Sequence, residues 1–324
     1  MSSPFFLSLP PSLPMLCIFN PEHDLCLANG NRHFMPPSSA LLFARDGASI
    51  MQVVYPEAVA VPSVQAGQAY AAIACKAGEG KGVAPVIVPW GWNITLKTQL
   101  LKAGIPANAM PDDSLLDIWR QLQHRSTLLP LQPGSRAVTL RDEVEEMLAL
   151  HGDVVLKAPW SGSGRGLRWI GSRMTEHDIR WMDKVVREQR CVIAEPRRRV
   201  ADDFALEYRV HGGRLFFVGY SLFQSEQGVY RSNLLLSDEA IAARTGIAAR
   251  KRTELEEWLS LHIAPHYEGP LGVDFIRTED GAVHVSELNL RHTMGLVAHC
   301  YLLQHPGAEG RRLTLEGNRL CVAG

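Results

Sequence analysis

The chain has 324 residues, 46% of them hydrophobic and 21% charged, and a net charge of −1. This is an ordinary globular composition with material for about two or three domains. It carries no global basic field of the kind that binds nucleic acid or an anionic membrane, and no apolar run long enough to span a bilayer.

The first fourteen residues are apolar, with four prolines and no Lys or Arg. They make a poor signal peptide, so residues 1–14 are expected to form a disordered extension, or to follow from an early start codon with Met15 as the functional beginning. Six dispersed cysteines (Cys17, Cys26, Cys75, Cys191, Cys300, Cys321) lack the close pairs of zinc sites. They read as reduced thiols in a cytoplasmic protein.

Met15 to Phe19 predicts a buried strand, broken by the polar turn Asn20-Pro21-Glu22-His23-Asp24. Such a turn after a first strand either contacts ligand or serves the backbone as a cap. Gln68 to Lys76 predicts a helix. Gly78-Glu79-Gly80-Lys81-Gly82 lacks the spacing of a phosphate loop and reads as a turn. Val86 to Pro89 is a second strand, and Ile94 to Ala103 and Leu115 to His124 have helical spacing. The alternation predicts a parallel sheet.

Pro130, Pro133 and Gly134 mark a boundary region. A helix beginning at Thr139 carries early acids and an apolar stripe of Val144, Met147, Leu148 and Leu150. Asp153 to Lys157 is a strand ending in lysine. Ser161-Gly162-Ser163-Gly164-Arg165-Gly166 follows, then extended residues Leu167 to Ile170. A glycine-rich loop between strands lays N–H groups over phosphates, with Lys157 as a point charge; it is otherwise a flexible hairpin. Because a strand follows rather than a helix, it is not a nicotinamide fingerprint. Met174 to Gln189 predicts a helix and Cys191 to Glu195 a strand. A hairpin over Phe204 to Phe223 and a helix over Ala249 to Ala264 come next.

The last informative stretch is a hairpin, Gly272 to Arg277 and Val283 to Gly295, joined at Asp280-Gly281. A two-residue type I′ turn there pairs Glu279 with Ala282 and sets Asp274 opposite Glu287. Asn289 then shares the face of Glu287. Opposed carboxylates are destabilising unless a cation lies between them, and Mg²⁺ takes such oxygens together with substrate phosphates. The alternative is a hairpin with solvated acids.

Together these pieces resemble the ATP-grasp superfamily over roughly 125–297: strand lysine, glycine loop, strand ending in glutamate, hairpin, helix, Gly-Val-Asp-Phe and Ser-Glu-Leu-Asn-Leu-Arg. The resemblance implies a mixed α/β and α+β architecture. A Rossmann-like domain (15–123) would precede a lid subdomain (124–195) and a C-terminal subdomain with the metal site (196–324). It implies ATP and Mg²⁺ as cofactors. Lys157 and Arg125 would bind phosphates, with Ser161 to Gly166 (Gly162, Ser163, Gly164 and Arg165 between) as a mobile flap. Glu195 would begin the adenine hinge, Asp202 or Asp203 would meet ribose, and Asp274, Glu287 and Asn289 would ligate magnesium. Arg291 would neutralise the transferring group. Two departures stand out: Arg125 where the family often has lysine, and Pro196 at the hinge, which removes a backbone donor.

The implied activity is an ATP-dependent ligase that activates a small-molecule or peptide carboxylate as an acyl phosphate for capture by an amine or thiol. A kinase on the same fold and a non-catalytic ATP sensor are the alternatives. The metal set beside Arg291 argues against the sensor. Asn20 to Asp24 and Arg231 to Asn233 are candidate substrate contacts, and Tyr230 and Arg231 are candidates for a place near the γ-phosphate, with ordinary surface loops as the alternative. Gln304 to Gly324 suggests no role.

Overall fold

The computed structural model describes residues 13–76, 84–161, 166–226, 228–316 and 319–324. Its strands are β1 (Met15–Phe19), β2 (Val59–Pro62), β3 (Val86–Pro89), β4 (Arg136–Val138), β5 (Val154–Lys157), β6 (Leu167–Ile170) and β7 (Val192–Pro196). The series continues with β8 (Val200–His211), β9 (Arg214–Glu226), β10 (Val229–Leu234), β11 (Gly269–Thr278), β12 (Val283–Asn289), β13 (Arg312–Glu316) and β14 (Arg319–Ala323).

Among the described residues three sheets form, each from one stretch of chain. The first is parallel, in the order β2-β1-β3. Its middle strand is apolar throughout, as a strand covered on both faces must be, and Leu16, Cys17 and Ile18 are fully buried. Leu13 and Pro14 lie within the described residues, and the Pro14 carbonyl accepts from Val86 N–H at 2.9 Å. The predicted extension through residue 14 is therefore too long by at least this residue; 1–12 and the Gly78–Gly82 turn lie outside the described residues.

The second sheet is antiparallel, β4-β7-β5-β6. The helices Arg141–His151 and Glu176–Gln189 back it with Val144, Met147, Met182 and Val185, closing over Val154, Leu156 and Val192. Helix Arg141–His151 starts two residues later than predicted because Glu143 turns back to accept from the Thr139 and Leu140 amides.

The third sheet has the order β12-β11-β8-β9-β10-β13-β14, with every neighbouring pair antiparallel. Its two faces differ because side chains alternate. Phe204, Leu206, Tyr208, Leu271, Val273 and Phe275 point toward the helices Asp238–Thr245 and Ala249–His262, where Leu255 and Leu259 meet them. Asp203, Ala205, Glu207, Gly272 and Asp274 share the other face, as the register fixes. Helix Met294–Gln304 covers part of that face and buries Leu296, Val297 and Cys300 in one cluster with Phe19, Ile50 and Tyr55 of the first unit. The last segment, given no role above, supplies β13 and β14 to this sheet and Leu313 to this cluster. Among the described residues no helix is long and apolar enough to cross a membrane.

Candidate active site

Asp274 is paired with Glu287, as the hairpin arithmetic requires, but by another route. The turn is not a two-residue type I′. Gly281 N–H donates to Thr278 O at 2.8 Å, Thr278 N–H donates to Ala282 O at 2.9 Å, and Gly281 sits at φ 85°. This is a three-residue loop with a left-handed glycine. It shifts the register by one, so Arg277 pairs with Val283 and Phe275 with Val285. Ser286 is then an extra residue on β12, and this bulge restores the Asp274–Glu287 pair. Without it Glu287 would turn to the opposite face.

Asn289 Nδ2 donates to Asp274 Oδ2 at 3.1 Å, which leaves the side-chain Oδ1 as a ligand atom. Burial, then the Glu287 and Glu207 charges, push the Asp274 carboxyl well above the usual carboxylate range. A divalent cation reverses that penalty. Among the described residues no group of three or more His, Cys, Asp and Glu side chains could hold a metal. Two carboxylates and an amide are nevertheless the hard oxygen set that Mg²⁺ uses when phosphates complete its shell. These residues fit the ion.

Arg125 is buried under the first glycine-loop residues. Its guanidinium donates to Ala158 O, to Ser161 Oγ at 2.6 Å and to Glu287 Oε1 at 2.6 Å. One cation thus ties the second sheet's loop to the Glu287 carboxylate. The loop base is closed by Ala158 N–H donating to Gly166 O at 2.8 Å. Gly162, Ser163, Gly164 and Arg165 lie outside the described residues. Lys157 Nζ reaches Glu195 Oε2 at 2.8 Å, while Glu195 Oε1 is buried without a hydrogen bond. A cavity of ≈ 140 Å³ is lined by Arg125, Lys157, Ser161, Asp203, Asp274 and Glu287.

The two ribose candidates part company. Asp202 is corrected: its Oδ1 accepts from Arg244 at 2.8 Å and its Oδ2 from Arg277, on the face away from Asp274. Both oxygens are consumed structurally. Asp203 faces the cleft and accepts from Ser225 Oγ at 2.6 Å.

Arg291 forms a bidentate pair with Asp24, Nε to Oδ1 at 2.9 Å and Nη2 to Oδ2 at 3.0 Å. The pair links the Asn20–Asp24 turn to the end of β12. Asn20 and His23 of that turn are bound into the fold. Asn20 Nδ2 donates to Gly91 O at 2.8 Å, and His23 is buried and held neutral beside Asn93. Burial lifts Glu22 to about 7. His292 is structural as well. Its Nδ1 lies 3.1 Å from Trp90 O and its Nε2 3.0 Å from Tyr55 Oη, and burial lowers it to about 4. Ser232 and Asn233 belong to β10 and are buried, and Arg231 pairs with Glu226. Tyr230 lines a second cavity with Asp274, Glu287 and Arg291.

Sequence reasoning missed Glu207. It is 1% exposed on the cleft face, with Oε1 accepting from Ser221 Oγ at 3.1 Å and Oε2 from Thr293 Oγ1 at 2.8 Å. Burial pushes its carboxyl up to about 7. A Cβ on Gly295 would fall 2.1 Å from Glu207 Oε1, so helix Met294–Gln304 approaches this acid only because residue 295 is glycine. The one sequence signal was an acid inside the apolar run Phe204-Ala205-Leu206-Glu207-Tyr208.

No family model and no curated protein sequence matches the chain. Solved structures do. D-alanyl-alanine synthetase A from Vibrio cholerae is 12% identical over 93% of this chain and 96% of that one, with a TM-score of 0.50. Biotin carboxylase from Campylobacter jejuni is 14% identical over 89% and 70%, at 0.51. N5-carboxyaminoimidazole synthetase from Staphylococcus aureus, complexed with ADP, is 15% identical over 91% and 78%, at 0.50. With a parallel sheet leading into two antiparallel sheets that meet at a lysine and two carboxylates, the chain has the ATP-grasp fold.

Proposed function

We propose that this protein is an ATP-dependent ligase that activates a carboxylate as an acyl phosphate and passes the acyl group to an amine or thiol. One observation carries the reading. Lys157, Arg125, Asp274 and Glu287 line a single cavity, with Arg125 paired to Glu287, so a triphosphate lying there meets two cations and a cation-binding acid pair together. Neighbours of the same fold support it: one is a complex with ADP and another a complex with an ATP ligand.

In this reading Lys157 leaves Glu195 for the α- and β-phosphates. Arg125 neutralises phosphate charge in concert with the Ser161–Gly166 loop. The backbone after Glu195 meets adenine, with Pro196 unable to donate, and Asp203 meets ribose. Asp274, Glu287 and Asn289 would hold Mg²⁺, which would supply positive charge to offset that of the phosphates during transfer. Arg291, fixed in orientation by Asp24, stabilises negative charge on the transferring phosphoryl group as the carboxylate attacks it. Six free thiols, three of them buried, suit a cytoplasmic setting.

The test is ADP release with amino acids and short peptides as acceptors, with hydroxylamine present to trap acyl phosphate as a hydroxamate. Wild type is expected to form hydroxamate, and Glu287→Ala to lose at least ~10²–10³ of that turnover. A phosphate ester as product would make the protein a kinase. Undiminished turnover in Glu287→Ala would overturn the assignment.

A further inference from the structure

Beside the acid pair lies a cavity of ≈ 360 Å³. It opens at the carboxyl ends of β1 and β3, the edge where open α/β sheets present ligands. Pro21 and Trp90 come from those ends, Val229 and Tyr230 from β10, Met294 from the start of the last helix and Leu315 from β13. These side chains make an apolar wall, and Tyr230 Oη is already donating to Asn233 Oδ1 at 2.8 Å.

The charges are lopsided. Among the described residues, Asp24, Glu207, Asp274 and Glu287 line the cavity against a single cation, Arg291. Arg291 spends Nε and Nη2 on Asp24 and Nη1 on His292 O, so only its remaining N–H groups can receive an incoming anion. A cation in the acid pair can take the same end of that anion. A second anionic group further along the molecule would meet carbon or carboxylates, with no donor to replace its water.

We infer that this cavity is the acceptor site and that it takes a small carboxylic acid with one negative charge and an apolar body, in preference to dicarboxylates and phosphorylated acids. The inference rests on the ligase reading for the name "acceptor". The charge and shape of the cavity stand apart from it.

The experiment uses matched probes. In 4-methylpentanoate an isopropyl group replaces one carboxylate of succinate with nearly the same shape, and 3-phosphonopropionate carries a phosphonate there. Each is titrated calorimetrically into the full chain saturated with MgADP. 4-Methylpentanoate should bind at least about tenfold more tightly than either dianion, the discrimination that one misplaced buried polar group gives. Leu315→Lys, and separately Val229→Lys, supply a second cation at the apolar wall and should narrow or reverse that ratio. Equal binding, preference for a dianion, or no binding by any probe in wild type overturns the inference. Hydroxamate formation from 4-methylpentanoate is then scored separately. Binding without ATP-dependent hydroxamate sinks the ligase reading and leaves the chemistry of the cavity intact.

Discussion

Asp274 is half-buried between like charges, and its carboxyl holds a proton to higher pH than an ordinary aspartate. A proton on Asp274 competes with Mg²⁺ for the same oxygens. MgATP affinity, read by calorimetric titration, should therefore weaken as pH is lowered, and an affinity that rises on acidification would contradict the geometry. Glu207 gives a stability signature. Its folded value of about 7 exceeds the ordinary 4.5, so its contribution is complete below about pH 4.5 and is lost as pH rises toward 7. Glu207→Gln should therefore flatten the fall in stability between about pH 5 and about pH 8 by on the order of 3 kcal/mol, read by urea denaturation. The pairing of Asp274 with Glu287 was reached from the sequence through a two-residue turn, and the structure keeps it only because a longer turn and the bulge at Ser286 cancel. Glu207 was not legible in the sequence, since its meaning depends on Thr293 and Ser221, which lie 86 and 14 residues away.

At the level of elements, the turn after β11 and the bulge at Ser286 are two departures from an ideal hairpin that cancel at the acid pair. Deleting Ser286 removes the extra residue and should leave Glu287 opposite Asp274 in an unbulged ladder, so MgATP binding is expected to survive. Inserting one residue after Ser286 should instead turn Glu287 and Asn289 off the cleft face and abolish MgATP binding, with far-ultraviolet circular dichroism near wild type. Retained binding in the insertion variant would show that this register does not aim the acids. Strands with strong apolar alternation, β8 and β9 among them, could be read from sequence. β13 and β14 could not. Each is a short strand with mixed polarity, and what makes it a strand is its pairing in a sheet begun more than a hundred residues earlier.

For the whole molecule, a few buried polar contacts hold the three sheets in register with one another. Arg291 reaches Asp24 in the first unit, Arg125 spans the second and third, and Trp160 Nε1 donates to Arg120 O at 2.9 Å between the second and the first. Asp24→Ala strands the half-buried Arg291 and should cost about 1–3 kcal/mol in denaturant unfolding, with a fall in turnover as Arg291 loses its aim. Wild-type stability in that variant would make the pair incidental. The order of segments, parallel sheet then two mixed halves, could be read from the order of motifs along the chain. The contacts between units could not, because each joins residues whose types gave no local signal. The most direct measurement of the central claim is calorimetric titration of ATP, with and without Mg²⁺, into wild type and Glu287→Gln. The account predicts tight binding by wild type that depends on Mg²⁺, and loss of that dependence in the variant. Binding by both proteins that ignores Mg²⁺, or no binding by wild type, would contradict it.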